Sequence, residues 1–188
     1  MSLLEVVASA IGILAVWLTI RQNTWCWPVG LAMVLMYAWI FYDTRLYSNM
    51  LLQMVYALLQ GYGWWMWLRG GDSGGGVQVG RLSVSRLAAG LVSGALLSLV
   101  LGYAMATYTE ASAPWQDASL SAFSLVAQVW MAQKRIESWL LWILLDALFV
   151  GLFLQQGLYL TAALYVAFTL LAVRGWAAWR RDLATEPV

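Results

Sequence analysis

Seven long apolar stretches, separated by polar breaks, make up most of the chain. They run near residues 3–20, 26–42, 46–68, 84–107, 116–132, 138–155 and 157–179. An apolar helix needs roughly 20 residues to cross the hydrocarbon core of a bilayer, with a range of about 17–25. Each stretch falls near that length, so the pattern predicts seven transmembrane helices.

The longest polar break runs from Arg69 to Ser83 and contains a run of glycines around Asp72. A phosphate-binding loop would follow a strand and end in Gly-Lys-Ser or Gly-Lys-Thr, and this segment has neither feature. Its composition is typical of a flexible linker. The linker divides the chain after the third predicted helix.

The chain repeats itself at a shift of 112 positions. Residues 9–67 lie over residues 121–179 without a gap, and 13 of the aligned pairs are identical. Trp67 and Trp179 form one of these pairs and end a Gly-x-x-x-Trp motif in both copies. Duplicated apolar units are typical of transporters that build their working site from two halves.

The repeat divides the seven predicted helices into three, one and three. Helices one and five are four crossings apart and point the same way, so the copies are parallel repeats about an axis along the membrane normal. The predicted fold class is an all-α integral membrane protein with seven transmembrane helices in a 3+1+3 arrangement and parallel pseudo-two-fold repeats. Its parts are a first three-helix repeat at 1–68, a cytoplasmic linker at 69–83, a connecting helix at 84–107, and a second three-helix repeat with a cytoplasmic tail at 108–188.

Small residues follow one face of the connecting helix. Gly90, Gly94, Ser98 and Gly102 recur at steps of four. Because small residues let helices approach closely, this face is predicted to pack against another helix rather than to bind a ligand.

Composition supports a membrane protein and excludes several kinds of site. Hydrophobic residues make up 63% of the chain and charged residues only 10%, whereas a soluble domain carries about 25% charged residues. The chain has no histidine and a single cysteine, Cys26. This excludes an internal disulfide, a cysteine-based metal cage and a histidine base or metal ligand, and no cofactor or metal is expected. A net charge of +1 gives no indication of nucleic-acid binding.

Basic residues lie almost entirely on one side of the predicted membrane. That side carries Arg21, Arg69, Arg81, Arg86, Lys134, Arg135, Arg174, Arg180 and Arg181. The other side carries only Arg45. The positive-inside rule then places the C-terminus in the cytoplasm and the N-terminus outside. An aromatic belt at the cytoplasmic interface is predicted to contain Trp64, Trp65, Trp67, Trp176 and Trp179.

Polar side chains within three of the predicted helices mark the candidate substrate site, because polar groups are expensive in hydrocarbon. Steps of three and four place those of each helix on one face. They are Asn49, Gln53, Tyr56 and Gln60 in helix three, Ser138, Trp142 and Asp146 in helix six, and Thr161 and Tyr165 in helix seven. Amides and hydroxyls also join helices by hydrogen bonds. That alternative explains an isolated group better than it explains the four-residue stripe of helix three.

Asp146 and Trp142 indicate the chemistry of the ligand. Asp146 is the one carboxylate deep within the seven stretches, and no lysine or arginine lies at a similar depth to neutralise it. Trp142 lies one helical turn away, although packing in the core is an alternative role for it. A carboxylate beside an aromatic face suits a flat cationic ring, since a desolvated cation–π contact is worth about 2 kcal/mol. The amides of helix three would then hydrogen-bond the hydroxyls or the amide of such a ligand.

Three short motifs stand out in the first repeat, namely Trp27-Pro28, Asn49-x-x-x-Gln53-x-x-Tyr56 and Tyr62-Gly63-Trp64-x-x-Trp67. With these motifs the chain resembles, over nearly its whole length, the PnuC family of bacterial vitamin transporters. The resemblance implies uptake of nicotinamide riboside across the bacterial inner membrane by facilitated diffusion. It also implies an architecture like that of the sugar-carrying SWEET proteins, a homotrimer with one pathway per protomer, and a cytoplasmic kinase that phosphorylates the vitamin and traps it.

The riboside carriers of that family have a W-x-x-x-W-x-x-x-N pattern in helix six, where this chain has Ser138, Trp142 and Asp146. The central tryptophan carries over and the two outer positions differ. Sister groups carry thiamine or riboflavin. Nicotinamide riboside and thiamine both have a flat cationic ring, so Asp146 suits either. An aspartate can also accept two hydrogen bonds from an amino-pyrimidine, which keeps thiamine as the alternative substrate.

The predicted function is therefore uniport of a vitamin with a cationic aromatic ring, in the first place nicotinamide riboside. In this hypothesis two three-helix halves rock around a site between helices three, six and seven. An intramembrane enzyme is disfavoured, because the predicted helices hold no histidine and no second deep carboxylate to form a catalytic pair. A channel is the remaining alternative and would show non-saturating flux.

Overall fold

The computed structural model describes residues 3–43, 47–70, 76–109, 113–155, 157 and 159–185. Within these ranges the regular structure consists of seven α-helices, which confirms the number predicted from the apolar stretches. They are α1 (Leu3–Ile20), α2 (Cys26–Asp43), α3 (Tyr47–Arg69), α4 (Val84–Tyr108), α5 (Pro114–Ala132), α6 (Glu137–Gln155) and α7 (Tyr159–Thr185). Arg45, the one basic residue predicted on the outer side, lies outside the described residues.

Apolar side chains cover much of the outer surface of the helices. Leu58, Leu99, Val100 and Leu148 are among the large hydrophobic residues that are exposed. In the described part of the chain, α4, α6 and α7 are each long and apolar enough to cross a membrane, and α1 and α2 contain shorter apolar runs. An apolar exterior of this kind suits a lipid environment.

The chain divides into two compact units. The first contains α1 to α3 with the following segment up to Val79, the turn Ala132–Lys134, and the chain from Arg174 onward. The second contains Gly80–Met131 and Arg135–Val173. The helix α7 therefore contributes its first part to the second unit and its last part to the first.

Tryptophans form the core of the first unit. Trp27 of α2 lies so close to Gly63 of α3 that a Cβ atom at residue 63 would be 2.2 Å from the indole ring. The ring of Trp67 meets that of Trp27 edge-on, with 5.4 Å between centroids, and lies 6.1 Å from the ring of Trp179. All three tryptophans are buried, so this aromatic cluster joins α2, α3 and the end of α7.

Backbone carbonyls anchor two of these indoles. Trp67 Nε1 donates a hydrogen bond to the carbonyl oxygen of Ala132 over 3.1 Å, and Trp179 Nε1 donates to that of Ile20 over 3.3 Å. The two donors are 112 positions apart, and so are the two acceptors. The predicted interfacial belt is wrong for Trp67 and Trp179, because both are core residues of the first unit.

Two turns of the first unit contain non-glycine residues with a left-handed backbone. Gln22 has φ 52° and Lys134 has φ 50°, and these positions again differ by 112. Lys134 Nζ donates to Gln22 Oε1 over 3.2 Å, and Gln22 Nε2 donates to Asp182 Oδ2 over 2.6 Å. Burial lowers the pKa of the Lys134 ammonium, and the charge of the Asp182 carboxylate partly opposes that shift. The side-chain hydrogen bonds offset the cost of the left-handed backbone, which is of order 1–3 kcal/mol for such a residue.

The small-residue face of α4 packs against aromatic rings of α5, as the sequence predicts. Gly90 lies against Trp130, Gly94 against Phe123 and Gly102 against Trp115, each at a distance that leaves no space for a Cβ atom. The second unit also contains an apolar cluster that includes Leu120, Leu141 and Leu145, and Trp142 packs against this cluster. The second unit is therefore held by aromatic side chains that fill notches made by glycine.

Candidate functional site

The polar stripe of α3 faces inward. Gln53 and Tyr56 are half-buried and Gln60 is buried, whereas Leu58 on the other side of the helix is exposed. Residues spaced by three and four share a face of an α-helix, so these three side chains lie on one line. The side chain of Asn49, the fourth member of the predicted stripe, lies outside the described residues.

Gln60 fills a notch in α2 that is made by Gly30. A Cβ atom at residue 30 would lie 2.8 Å from Gln60 Nε2 and 3.0 Å from Gln60 Oε1. Gln60 is only 9% exposed. No hydrogen bond joins its amide to any other residue that the structure describes. A buried amide normally has a hydrogen-bond partner, so this one is a donor and an acceptor available to a ligand.

The three predicted residues of α6 differ in whether the protein itself provides a partner for their side chains. The hydroxyl of Ser138 is fully buried and contacts Met131 Sδ at 3.7 Å. Trp142 is half-buried and packs on the apolar core of the second unit. Asp146 is 5% exposed, and no ion pair or hydrogen bond joins it to another described residue. Of the three, Asp146 therefore has the greatest need of a partner from outside the protein.

An aromatic cluster surrounds Tyr165 of α7. Its ring centroid lies 4.9 Å from that of Phe149, 5.1 Å from Phe153 and 5.7 Å from Phe168. Phe149 and Phe153 are one turn apart in α6 and stack on each other. Thr161, one turn before Tyr165, is half-buried. Tyr165 thus presents an aromatic surface between α6 and α7, in addition to its hydroxyl.

Sequence reasoning missed two kinds of residue that the structure places next to predicted ones. Gly30 lies against Gln60, and Phe149 and Phe153 lie against Tyr165. The spacing of the two phenylalanines, four residues apart on α6, was a signal that could have been read. Nothing in the spacing along α2 pairs Gly30 with a residue of α3, so that contact required the structure.

The structure assigns the predicted residues to two groups. Gln53, Tyr56 and Gln60 belong to the first unit. The predicted residues of α6 and α7 belong to the second unit. Within the second unit, α6 supplies a buried carboxylate and a tryptophan, and α7 supplies a tyrosine. The first unit thus offers amides and a phenol hydroxyl, and the second offers a carboxylate beside aromatic faces.

Comparison with known proteins gives consistent matches along the chain. Residues 2–181 match the family model described as "Nicotinamide mononucleotide transporter". The nicotinamide riboside transporter PnuC of Escherichia coli is 26% identical, in an alignment that covers 95% of this chain and 85% of that protein. The riboflavin/roseoflavin transporter RibM of Streptomyces davaonensis is 28% identical and is covered to 86%, again with 95% of this chain aligned.

A solved structure shows the same fold. The crystal structure of the vitamin B3 transporter PnuC superimposes on this chain with a TM-score of 0.77 and 25% sequence identity. The superposition covers 98% of this chain and 83% of the other. The similarity thus extends over all seven helices and is not confined to one repeat or one motif.

Proposed function

Since this chain belongs to the nicotinamide mononucleotide transporter family and is a multi-pass membrane transporter rather than an enzyme, we propose that it carries nicotinamide riboside across the bacterial inner membrane by facilitated diffusion. The relatives named above transport nicotinamide riboside or riboflavin. Membership of the family therefore does not identify the cargo, and the proposal for the cargo rests on the side chains of this chain.

Asp146 is the observation that carries the proposal. Its carboxylate is buried in α6 and has no cationic partner among the described residues. An unpaired buried charge is costly, and an opposite charge that enters the site compensates it. The pyridinium ring of nicotinamide riboside supplies a positive charge. Trp142, one turn away on α6, supplies an aromatic face on which that ring stacks.

The charge pattern favours the riboside over a mononucleotide or riboflavin. A mononucleotide carries a phosphate, which needs arginine, lysine or a helix N-terminus as its partner. The stretches 47–68, 138–155 and 159–173 contain no lysine or arginine. Riboflavin is neutral and would leave the Asp146 carboxylate without compensation. Both considerations support a cargo that is cationic and has no phosphate.

The remaining predicted residues recognise the polar parts of the cargo in this proposal. The amides of Gln53 and Gln60, with Asn49, hydrogen-bond the carboxamide and the ribose hydroxyls. Tyr56, Ser138 and Thr161 offer hydroxyl groups to the same parts. Tyr165, with the rings around it, limits the size of the ligand.

Transport by this chain would follow from its repeats. We infer that the two three-helix repeats, joined by α4 in a 3+1+3 arrangement, rock as parallel halves and expose the cargo to each side in turn. The N-terminus lies outside and the C-terminus in the cytoplasm, as the basic residues indicate. A homotrimer with one pathway per protomer is the proposed assembly. A cytoplasmic kinase that phosphorylates the imported riboside would keep it inside the cell.

Thiamine is the second candidate, because the same Asp146 carboxylate also suits its cationic thiazolium ring or its amino-pyrimidine. Isothermal titration of the purified protein with nicotinamide riboside, thiamine and riboflavin in turn separates the candidates. The proposal expects the riboside to bind most tightly and riboflavin to show no measurable heat. Tighter binding of thiamine would replace the riboside as the cargo, and preferential binding of riboflavin would contradict the role assigned to Asp146.

A further inference from the structure

The contact between Gly30 and Gln60 has a consequence for the position of the Gln60 amide. The atoms that would collide with a Cβ atom at residue 30 are Nε2, Cδ and Oε1 of Gln60, at 2.8, 3.0 and 3.0 Å. They are the far end of a flexible side chain. A methyl group at residue 30 would therefore displace the amide without forcing the helix backbones apart.

The displaced group is one that the protein itself leaves without a partner. Gln60 is 9% exposed and makes no hydrogen bond to another residue in the described ranges. Glycine weakens a helix by roughly 0.5–1 kcal/mol relative to alanine. A glycine within α2, at its fifth residue, therefore carries a cost. Here the space that it leaves is filled by an amide rather than by an apolar side chain.

At the aligned positions of the second repeat, the large and the small side chain are exchanged between the two helices. A shift of 112 places Gly30 on Trp142 and Gln60 on Ala172. In the first repeat the α2 position is small and the α3 position carries an amide. In the second repeat the α6 position carries the tryptophan and the α7 position is a buried alanine. At these aligned sequence positions the first repeat has an amide side chain and the second has an aromatic ring.

We propose that Gly30 is a positioning residue for the cargo: by leaving a notch in α2, it holds the Gln60 amide where it hydrogen-bonds the polar part of the vitamin. The inference rests on the proposed function. Gly30 acts only through Gln60, because the lack of a side chain at residue 30 leaves the space that the Gln60 amide occupies. The ligand group that this amide suits is a carboxamide, with which a glutamine can exchange two hydrogen bonds.

A double-mutant cycle on the purified, full-length protein tests this inference, with nicotinamide riboside as the probe in calorimetry. The Gln60→Met variant keeps a side chain of similar length in the notch and removes the amide. We expect it to raise Kd about three- to tenfold, which is the usual effect of one neutral hydrogen bond. Gly30→Ala should raise Kd by a similar factor. In the Gln60→Ala background, where nothing fills the notch, Gly30→Ala should change Kd by less than about 1.5-fold.

Two matched glycines provide controls for the substitution itself. A Cβ atom at Gly61 in α3 or at Gly151 in α6 would meet nothing within 4 Å. Gly61→Ala and Gly151→Ala should therefore leave Kd unchanged. A thermal unfolding curve of each variant shows whether Gly30→Ala folds. If that variant alone fails to fold and Gln60→Ala does not restore it, the notch is a packing feature and the inference is wrong.

The outcomes separate this inference from the proposed function. If the unmodified protein binds no riboside, the function fails and the inference fails with it. If Gln60→Met weakens binding and Gly30→Ala does not, only the role of Gly30 is refuted. An equal effect of Gly30→Ala with and without Gln60 would also refute it, because the glycine would then act independently of the amide.

Discussion

Gly63→Ala is expected to destabilise the protein, and the structure gives the size of the effect. The added Cβ atom would lie 2.2 Å from Cη2 and Cζ3 of the Trp27 ring, whereas carbon atoms in good contact are about 3.5–4.0 Å apart. The ring would have to move by roughly 1.5 Å. It is only 2% exposed, and Trp67 meets it edge-on, so it has little space in which to move.

Overpacking of this kind costs about 1–3 kcal/mol, and the better helix propensity of alanine returns roughly 0.5–1 kcal/mol. Gly61→Ala is the matched control two residues away, because a Cβ atom there meets nothing within 4 Å. It should gain the propensity term alone. The two variants should therefore differ by about 1–3 kcal/mol, which is the overpacking cost, and by about 2–12 °C in Tm at 2–4 °C per kcal/mol for a protein of this size.

The assay is thermal unfolding in one detergent, followed by intrinsic tryptophan fluorescence. A Tm for Gly63→Ala equal to that for Gly61→Ala would refute the reasoning, because the close approach of α2 and α3 at Trp27 would then be absent. In that case, contact with the Trp27 ring would not explain why residue 63, within the Tyr-Gly-Trp run, is a glycine.

Three further predictions concern the site and the tryptophan core. Asp146→Asn should weaken binding of either cationic vitamin about tenfold or more, since the cationic ring loses its charged partner and breaking a buried charge pair costs about 3–5 kcal/mol. Calorimetry that shows loss for thiamine alone would favour thiamine as the cargo, and no loss for either would remove the carboxylate from the site. Trp142→Ala should raise Kd for the riboside at least about tenfold through the lost cation–π contact, and an unchanged Kd would exclude this ring from the site. Trp179→Phe should lower the free energy of unfolding by about 0.5–1.5 kcal/mol, because the partly buried carbonyl of Ile20 loses its donor. Trp65→Phe is the exposed control, and equal melting temperatures for the two variants would contradict the core assignment.

The fold could be predicted from the sequence largely because the bilayer sets the length of an apolar helix. Both ends of α1 agree with the limits of its apolar stretch. The prediction falls short at α7, which continues to Thr185. Hydropathy ends that stretch at Trp179, since Arg180, Arg181 and Asp182 are polar, but polarity does not prevent a helix from continuing into water.

The tryptophans illustrate where a sequence rule fails. Tryptophan near the end of an apolar helix is typical of an interfacial belt, and Trp64 and Trp65 are exposed as that rule expects. Trp67 and Trp179 obey a different constraint, because each reaches a backbone carbonyl of a neighbouring helix end. The repeat had marked these two as equivalent, yet the alignment could not show that they contact each other.

For the candidate site, the sequence predicts which helix faces carry the polar residues, but not which residues of other helices lie opposite them. Helical spacing places Gln53, Tyr56 and Gln60 on one side of α3, and the structure shows that this side is turned inward. Spacing within one helix says nothing about the residue opposite, so Gly30 was not predicted. The 3+1+3 arrangement, the membrane orientation and the ligand contacts of the individual side chains stay predictions.

Uptake of radiolabelled nicotinamide riboside into proteoliposomes, with no ion gradient across the membrane, tests the central claim most directly. Facilitated diffusion predicts saturable uptake that excess unlabelled riboside inhibits, that stops when the inside and outside concentrations are equal, and that ionophores leave unchanged. Uptake no greater than in protein-free liposomes, or uptake that requires an imposed proton or sodium gradient, would contradict it.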